Sequence, residues 1–189
     1  AGLVEIRAQC RNGKAERITL RNVPAFADRL QVPLDVEGIG TVVVDTAFGG
    51  DSFVMAEAKV LGLAVTPDEA ADIAKVGRRL VAAANAQLGF SHPLLPEWKH
   101  YSFAFITGPL ETVDGCLSSR NACVINPGKI DRSPTGTGVS ALMAVLHAKG
   151  VMKVGETFIG RSIIESRFNG RIAAETEVGG RPAIVPEIS

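Results

Sequence analysis

The sequence predicts an α+β fold, a single domain with many strands gathered around two helices. Three observations carry that prediction. Alternating or β-branched runs recur from one end to the other, two stretches place apolar residues at helical spacing, and no repeat, low-complexity tract or charged linker divides the chain. At 189 residues and 46% hydrophobic, the chain has enough apolar surface to bury a core.

The strands and helices follow in order. AGLVEIRAQ, RNGK and AERITLRNV read as a hairpin, because Asn12-Gly13 readily takes positive φ in a two-residue turn and both flanks alternate. Pro24 and Pro33 are expected to break the next stretch into short extended pieces. GIGTVVVDTAF is too continuously apolar for a half-exposed strand, so a buried one is predicted, closed by Gly49-Gly50 and paired with SFVMAEA. The first helix begins at Thr66, where Glu69 three residues on completes a capping box and Pro67 takes the first helical position. Ile73, Gly77, Leu80, Val81, Ala84 and Leu88 form its apolar face, and Gly89 ends it. Its small residues Ala70, Ala74, Ala82 and Ala83 predict close packing on several sides, within a wrapped sheet.

A Pro-rich connection from His92 to Pro96 leads into the strands YSFAFITG and NACVINPG. The second helix is predicted from about Thr137 to Lys149, with Val139, Leu142, Met143, Val145 and Leu146 apolar and Gly150 as its stop. GETFIGRSIIESRFNG, RIAAETEV and RPAIVPE read as further strands, with FNGR as a hairpin turn.

Composition excludes several function classes. Twenty basic residues balance twenty acidic ones, so no net field favours nucleic acid or an anionic membrane surface. No apolar run approaches the roughly 20 residues of a membrane-spanning helix. Cys10, Cys116 and Cys123 have no CxxC spacing, which argues against a disulfide framework and fits a reducing, cytoplasmic compartment. His92, His100 and His147 form no HxxxH or HxH pair, so no histidine metal site is expected. The chain opens without methionine and stops just after a strand-like run, and it is expected to be a segment of a longer protein.

The stretch with the most chemistry is DRSPTGTGVSALMAVLHAKG, Asp131 to Gly150. The first N–H groups of a helix lack intrahelical partners and carry the positive end of its dipole. Gly136 and Gly138 leave the backbone around Thr137 open to close approach, a natural cradle for a carboxylate or phosphate. Asp131 is placed to face the same space and pair with a cation. An anion cradle beside an acceptor for an ammonium is what a free amino acid requires. From this motif alone the plainer reading, a turn followed by a helix cap, is the stronger one. Neither a phosphate loop nor a dinucleotide fingerprint is present.

Four ordered motifs shift that balance: RNVPAF (Arg21 to Phe26), VVDTAFGGDSF (Val43 to Phe53), His92-Pro93 and the Asp131 stretch. In this order the chain resembles the proline racemase family, whose members include proline racemase, 4-hydroxyproline 2-epimerase and trans-3-hydroxy-L-proline dehydratase. The resemblance implies a diaminopimelate-epimerase-like lobe, a mixed and largely antiparallel sheet wrapped around a central helix. It implies a single lobe over residues 1–189, the second of a two-lobe enzyme with the substrate held between lobes. Asp131 would contact the ring nitrogen of an imino acid substrate, and the Gly136 and Thr137 amides would hold its carboxylate. The other half-site, a cysteine in an MCGHG-type segment of the first lobe, is missing from this sequence. The resemblance also allows a homodimer.

Racemases and epimerases of the family carry a second cysteine where this chain has Thr135. Inversion needs an acid/base group on each face of Cα, and thiols, with pKa near 8.5, suit that task. An aliphatic hydroxyl is too weak an acid to serve as a base without a strong activating neighbour, and the sequence shows none. Elimination needs one base and a donor to the departing hydroxyl, which Thr135 can be. The expected activity is therefore cofactor-free dehydration of trans-3-hydroxy-L-proline, with hydroxyproline epimerisation or proline racemisation as the alternative. Among other residues, His92 is expected at a structural corner, Asp45 and Asp51 as caps or solvent-facing, Phe48 along the pocket, Cys123 in the core, and Arg132 and Ser133 as loop-fixing.

Overall fold

Asn12 and Gly13 both take positive φ, 51° and 75°. They turn β1 (Glu5–Arg11) onto β2 (Lys14–Arg21) in the predicted hairpin. The computed structural model describes residues 3–189; Ala1 and Gly2, which open the first predicted strand, lie outside the described residues. Both faces of β1 are exposed, and the ribbon is laddered to the rest of the sheet through Arg21 and Leu20.

β3 (Phe26–Val36) runs straight through Pro33, contrary to the expected break, and pairs with β4 (Gly40–Phe48). Pro33 is tolerated because β3 ends the strand order there, so its missing N–H forfeits no ladder bond. The irregularities fall earlier, at register shifts between Ala27 and Val32. β4 is continuously buried only over its last residues, Thr46, Ala47 and Phe48; before them it alternates, with Val42 and Val44 facing inward and Val43 55% exposed. β5 (Ser52–Glu57) returns along it as predicted.

A 3₁₀ turn at Pro67–Glu69 leads into α1 (Ala70–Gln87). The capping box does not form. The Thr66 side chain makes no cap bond, and Glu69 Oε2 accepts the Ala64 N–H at 2.7 Å instead. The predicted face is correct, since α1 buries Ile73, Gly77, Leu80 and Ala84, and Gly89 stops it at φ 64°.

β6 (Phe103–Thr107), β7 (Glu111–Val113), β8 (Cys116–Ile125) and β9 (Lys129–Ile130) precede α2 (Gly136–Ala148). β10 (Thr157–Arg161), β11 (Arg167–Val178) and β12 (Arg181–Ile188) follow. The strand order is β1-β2-β12-β11-β10-β8-β6-β5-β4-β3, with β7 and β9 on β8. The β5–β6 and β8–β10 pairs are parallel and the others antiparallel. FNGR is not a turn. Asn169 and Gly170 lie within β11 opposite Ile159 and Phe158, and the chain reverses at Gly179-Gly180.

The sheet curls until Ala25 and Ile184 exchange backbone hydrogen bonds of 2.9 and 2.8 Å, closing β3 onto β12. At this seam Asp28 pairs with Arg181 and accepts hydrogen bonds from Tyr101 Oη at 2.9 Å and Thr46 Oγ1 at 3.1 Å. Burial pushes the Tyr101 hydroxyl up to about 12. α2 runs inside the ring, buried without interruption from Gly138 to Leu146.

The central helix is thus α2, not α1. A helix apolar on every side is one that must be enclosed, whereas Ala71, Ala82 and Ala86 of α1 face solvent. Alternation along β5, β6 and β8 serves both helices. Val54, Ile106 and Val124 pack toward α1, while Phe53, Phe105 and Cys123 pack toward α2. The ring closes tightly on α2 because glycines line it. A Cβ at Gly160 would sit 2.5 Å from Val139 Cγ2, and one at Gly170 would sit 2.7 Å from Met143 Sδ. That close approach explains why Gly170 belongs to a strand despite the Asn-Gly turn signal.

Candidate active site

The loop between β9 and α2 is anchored first to β8, where the Asp131 N–H donates to the Cys123 carbonyl at 3.0 Å. It then folds around its own carboxylate. Asp131 Oδ1 accepts the Ser133 N–H at 2.9 Å, and Oδ2 accepts Ser133 Oγ at 2.9 Å and Thr135 Oγ1 at 2.7 Å. Ser133 Oγ in turn accepts the Thr135 N–H at 3.1 Å. Ser133 is therefore the loop-fixing residue its position predicted.

Thr135 sits at φ 61°, ψ 95°, a backbone state that is a genuine outlier for a β-branched residue. It occupies the N-cap position of α2, and its carbonyl accepts the Val139 N–H at 2.8 Å. Yet its side chain makes no cap hydrogen bond, because the hydroxyl turns away from the helix and onto Asp131. The motif is thus a turn without a hydroxyl cap. The N–H groups of Gly136, Thr137 and Gly138 find no acceptor among the described residues, and the positive end of the α2 dipole stays open. The sequence showed no strong neighbour for Thr135, and the fold supplies Asp131. Carboxylates in general are too weakly basic to ionise an aliphatic hydroxyl, so this bond orients Thr135 rather than activating it.

The two glycines of the cradle have different reasons to be glycine. A Cβ on Gly136 would make only ordinary contacts, 3.8 Å to Ile188 Cγ2 and 3.9 Å to a Phe168 ring carbon. A Cβ on Gly138 would lie 2.8 Å from Phe105 Cδ2 and nearer still to Cε2. Gly138 is required by packing rather than by ligand approach, which corrects the sequence reading. Phe168 and Ile188 border the cradle, and no local sequence signal marks either of them.

The RNVPAF and DTAFGGDSF motifs meet at the same place. Asn22 Nδ2 donates to the Gly49 carbonyl at 2.8 Å and to Ser140 Oγ at 3.0 Å, and Ser140 Oγ donates to the Gly136 carbonyl at 2.8 Å. Gly49 packs so closely that a Cβ there would stand 2.5 Å from the Ala141 nitrogen and nearer to the Thr137 oxygen. Both motifs thus seat the first turn of α2.

Other candidates stand apart from the loop. Phe48 is 3% exposed and packs among Phe26, Phe90, His92 and Trp98, so it does not line an open pocket. His92 is buried against Phe26 and Phe48, and its Nδ1 accepts the Leu94 N–H at 3.2 Å, consistent with a structural corner. Burial holds its proton affinity below the ordinary imidazole range. His100 is exposed and stacks on Trp98. Asp45 accepts the Gln31 N–H and pairs with Lys149, and Asp51 accepts the Ser52 N–H, both in cap-like roles.

Cys123 lies in the core at 2% exposure, with its thiol pushed up to about 12 by burial and by the Asp131 and Asp51 charges. A thiol so disposed is protonated near neutral pH and cannot act as a base. Cavities of about 600 Å³ and about 300 Å³ open toward the other end of α2, around Lys149 and His147, and neither takes in Asp131, Thr135, Gly136 or Thr137. The chemistry favours the loop over these two cavities, because the open amides and the carboxylate are there. No helix among the described residues is long and apolar enough to cross a membrane.

Residues 1–189 match a family model described as proline racemase. The fold is similar to a probable proline racemase from Agrobacterium radiobacter K84, solved with bound carbonate, at 36% identity and TM-score 0.91 over 99% of this chain and 54% of that one. It is equally similar to a hydroxyproline epimerase from Agrobacterium vitis with bound trans-4-hydroxy-L-proline, at 36% identity and TM-score 0.91 over 99% of this chain and 53% of that one. A phenazine biosynthesis protein of the PhzF family from Bacillus anthracis shares the fold alone, with 12% identity and TM-score 0.51 over 97% of this chain and 60% of that one. The chain spans about half the length of the first two structures.

Proposed function

The chain belongs to the proline racemase family, and from that premise we propose that it carries half of the site of an enzyme that dehydrates trans-3-hydroxy-L-proline to Δ1-pyrroline-2-carboxylate. One observation carries the reading. A hydroxyl stands where inversion would want a thiol, and it is held on Asp131 so that the α2 amides stay free. The substrate carboxylate is placed on the Gly136 and Thr137 N–H groups, and the ring nitrogen against Asp131. An ammonium on Asp131 competes with Thr135 for the same carboxylate, which frees the Thr135 hydroxyl to turn toward the substrate β-hydroxyl.

The reaction then needs one base. We assign it to a cysteine in the remaining part of the polypeptide, as the resemblance implies, and the site closes between the two halves. The base takes the Cα proton, the electron pair forms the Cα–Cβ double bond, and the C–O bond breaks. The departing oxygen, hydrogen-bonded by Thr135, leaves as hydroxide and is neutralised by the proton that the base took from Cα, passed on through solvent, so that one water is lost and the base is regenerated. The enamine tautomerises to the cyclic imine. Loss of water is redox-neutral, so no electron-carrying cofactor enters the balance. A cytoplasmic setting and a homodimer complete the proposal.

The alternative is hydroxyproline epimerisation or proline racemisation, and the 36% identity to a hydroxyproline epimerase favours it. It requires a second acid/base group on the face where this chain offers Thr135 and a thiol, Cys123, pushed up to about 12. A Thr135→Ala, →Ser and →Cys series in the full-length protein tests the reading. Dehydration should fall about 10²-fold or more in Thr135→Ala, persist in Thr135→Ser, and give way to measurable epimerisation in Thr135→Cys. Unchanged rates across the series would remove Thr135 from the site.

A further inference from the structure

The geometry points to Ser166 as a positioning residue that aims the Asp131 carboxylate from outside its own loop. Resting on the function proposed above, it deepens that reading. Ser166 ends the turn Ser162–Ser166 that links β10 to β11. Its Oγ donates to the Arg132 carbonyl at 2.9 Å, across 34 residues of sequence. The peptide joining Arg132 to Ser133 is planar, with its C=O and N–H directed oppositely. Its oxygen is held by Ser166, and its N–H donates to Asp131 Oδ1 at 2.9 Å. Fixing one end of a rigid plane sets the aim of the other.

The turn that carries Ser166 is itself stiff. Ser162 is fully buried, and its Oγ lies 2.7 Å from Ser166 Oγ while accepting the N–H groups of Ser166 at 3.2 Å and Ile164 at 3.3 Å. Those two donors occupy the Ser162 lone pairs, so its proton is directed to Ser166 Oγ, whose own proton goes to Arg132. This makes a chain of hydroxyls in which each bond polarises the next. Between the two serines Glu165 takes φ 66° and bridges Arg120 and Arg161, and Arg161 also holds Glu111 and Ser118. The ion network therefore anchors the turn, and Ser166 carries that rigidity to the loop.

Only one of the two substrate contacts depends on this relay. The ring nitrogen is met by Asp131, whereas the carboxylate is met by α2 amides seated by Asn22 and Ser140. Two probes separate them: L-proline, and cyclopentanecarboxylate, which keeps the ring and carboxylate but lacks the nitrogen. Calorimetric titration of the full-length protein should show wild type binding L-proline more tightly. Ser166→Ala should lose about 10-fold in affinity for L-proline while binding cyclopentanecarboxylate within about 2-fold of wild type, as expected for one hydrogen bond to a charged group's support. Ser166→Thr, which restores the hydroxyl, should recover L-proline binding. Equal weakening of both probes would mean general loosening and would overturn the assignment, as would no change in either. A wild type that binds the two probes equally would overturn the role of Asp131 itself, and this inference with it.

Discussion

Two glycines two residues apart offer a sharp division between fold and site. Gly138→Ala places a methyl against the Phe105 ring, 2.8 Å from Cδ2, and Phe105 is 0% exposed with nowhere to move. Such overpacking costs about 3 kcal/mol, the upper end of its usual range. Alanine's better helix propensity returns about 1 kcal/mol. The net loss of about 2 kcal/mol corresponds to a Tm lower by about 4–8 °C for a chain of this length. Gly136→Ala meets only contacts of 3.8 and 3.9 Å and takes no left-handed φ, so its Tm should match or slightly exceed that of wild type. Helical Cβ atoms lean toward the N-terminus, which puts the new methyl over the open amides. Carboxylate binding should therefore be abolished in Gly136→Ala and merely follow stability in Gly138→Ala. Thermal unfolding and calorimetric titration with L-proline read the two effects separately. A stable Gly138→Ala variant, or a Gly136→Ala variant that binds L-proline as wild type does, would refute the reasoning.

Asp28→Ala leaves Arg181, Tyr101 and Thr46 at the seam without their shared acceptor, and denaturant unfolding should show a loss of about 3 kcal/mol. His92 is held neutral by burial, with its folded pKa below the reference 6.5. Its contribution is thus present in full above 6.5 and lost as the pH falls through the lower folded value. His92→Phe should flatten the stability–pH profile in that acid window. The 189-residue chain alone should bind L-proline weakly and turn over no hydroxyproline isomer, as an NMR assay would show; turnover would overturn the assignment of the base to another part of the polypeptide.

Much of this was legible in the sequence wherever a local rule settles the outcome. Asn12-Gly13 turns the first hairpin, the Ile73–Ala84 spacing defines the α1 face, and Gly89 ends that helix. The grouping of Asp131 and Thr135 was also visible, because four residues and a proline hold them in one loop. What failed depended on partners distant in sequence. The Asn169-Gly170 pair signals a turn, but Met143 and Val139 of α2 demand a glycine in a continuous strand there. Pro33 reads as a break until β3 is known to end the strand order. Thr66 and Glu69 spell a capping box, yet Glu69 finds the Ala64 N–H. Asn22 reaches Ser140 across 118 residues, and no periodicity announces such a joint.

The direct test of the dehydratase reading is proton NMR of the full-length protein incubated separately with trans-3-hydroxy-L-proline and with trans-4-hydroxy-L-proline. The account predicts conversion of the 3-hydroxy isomer to Δ1-pyrroline-2-carboxylate with little change in the 4-hydroxy isomer. Epimerisation of the 4-hydroxy isomer at a rate matching or exceeding any dehydration would contradict it.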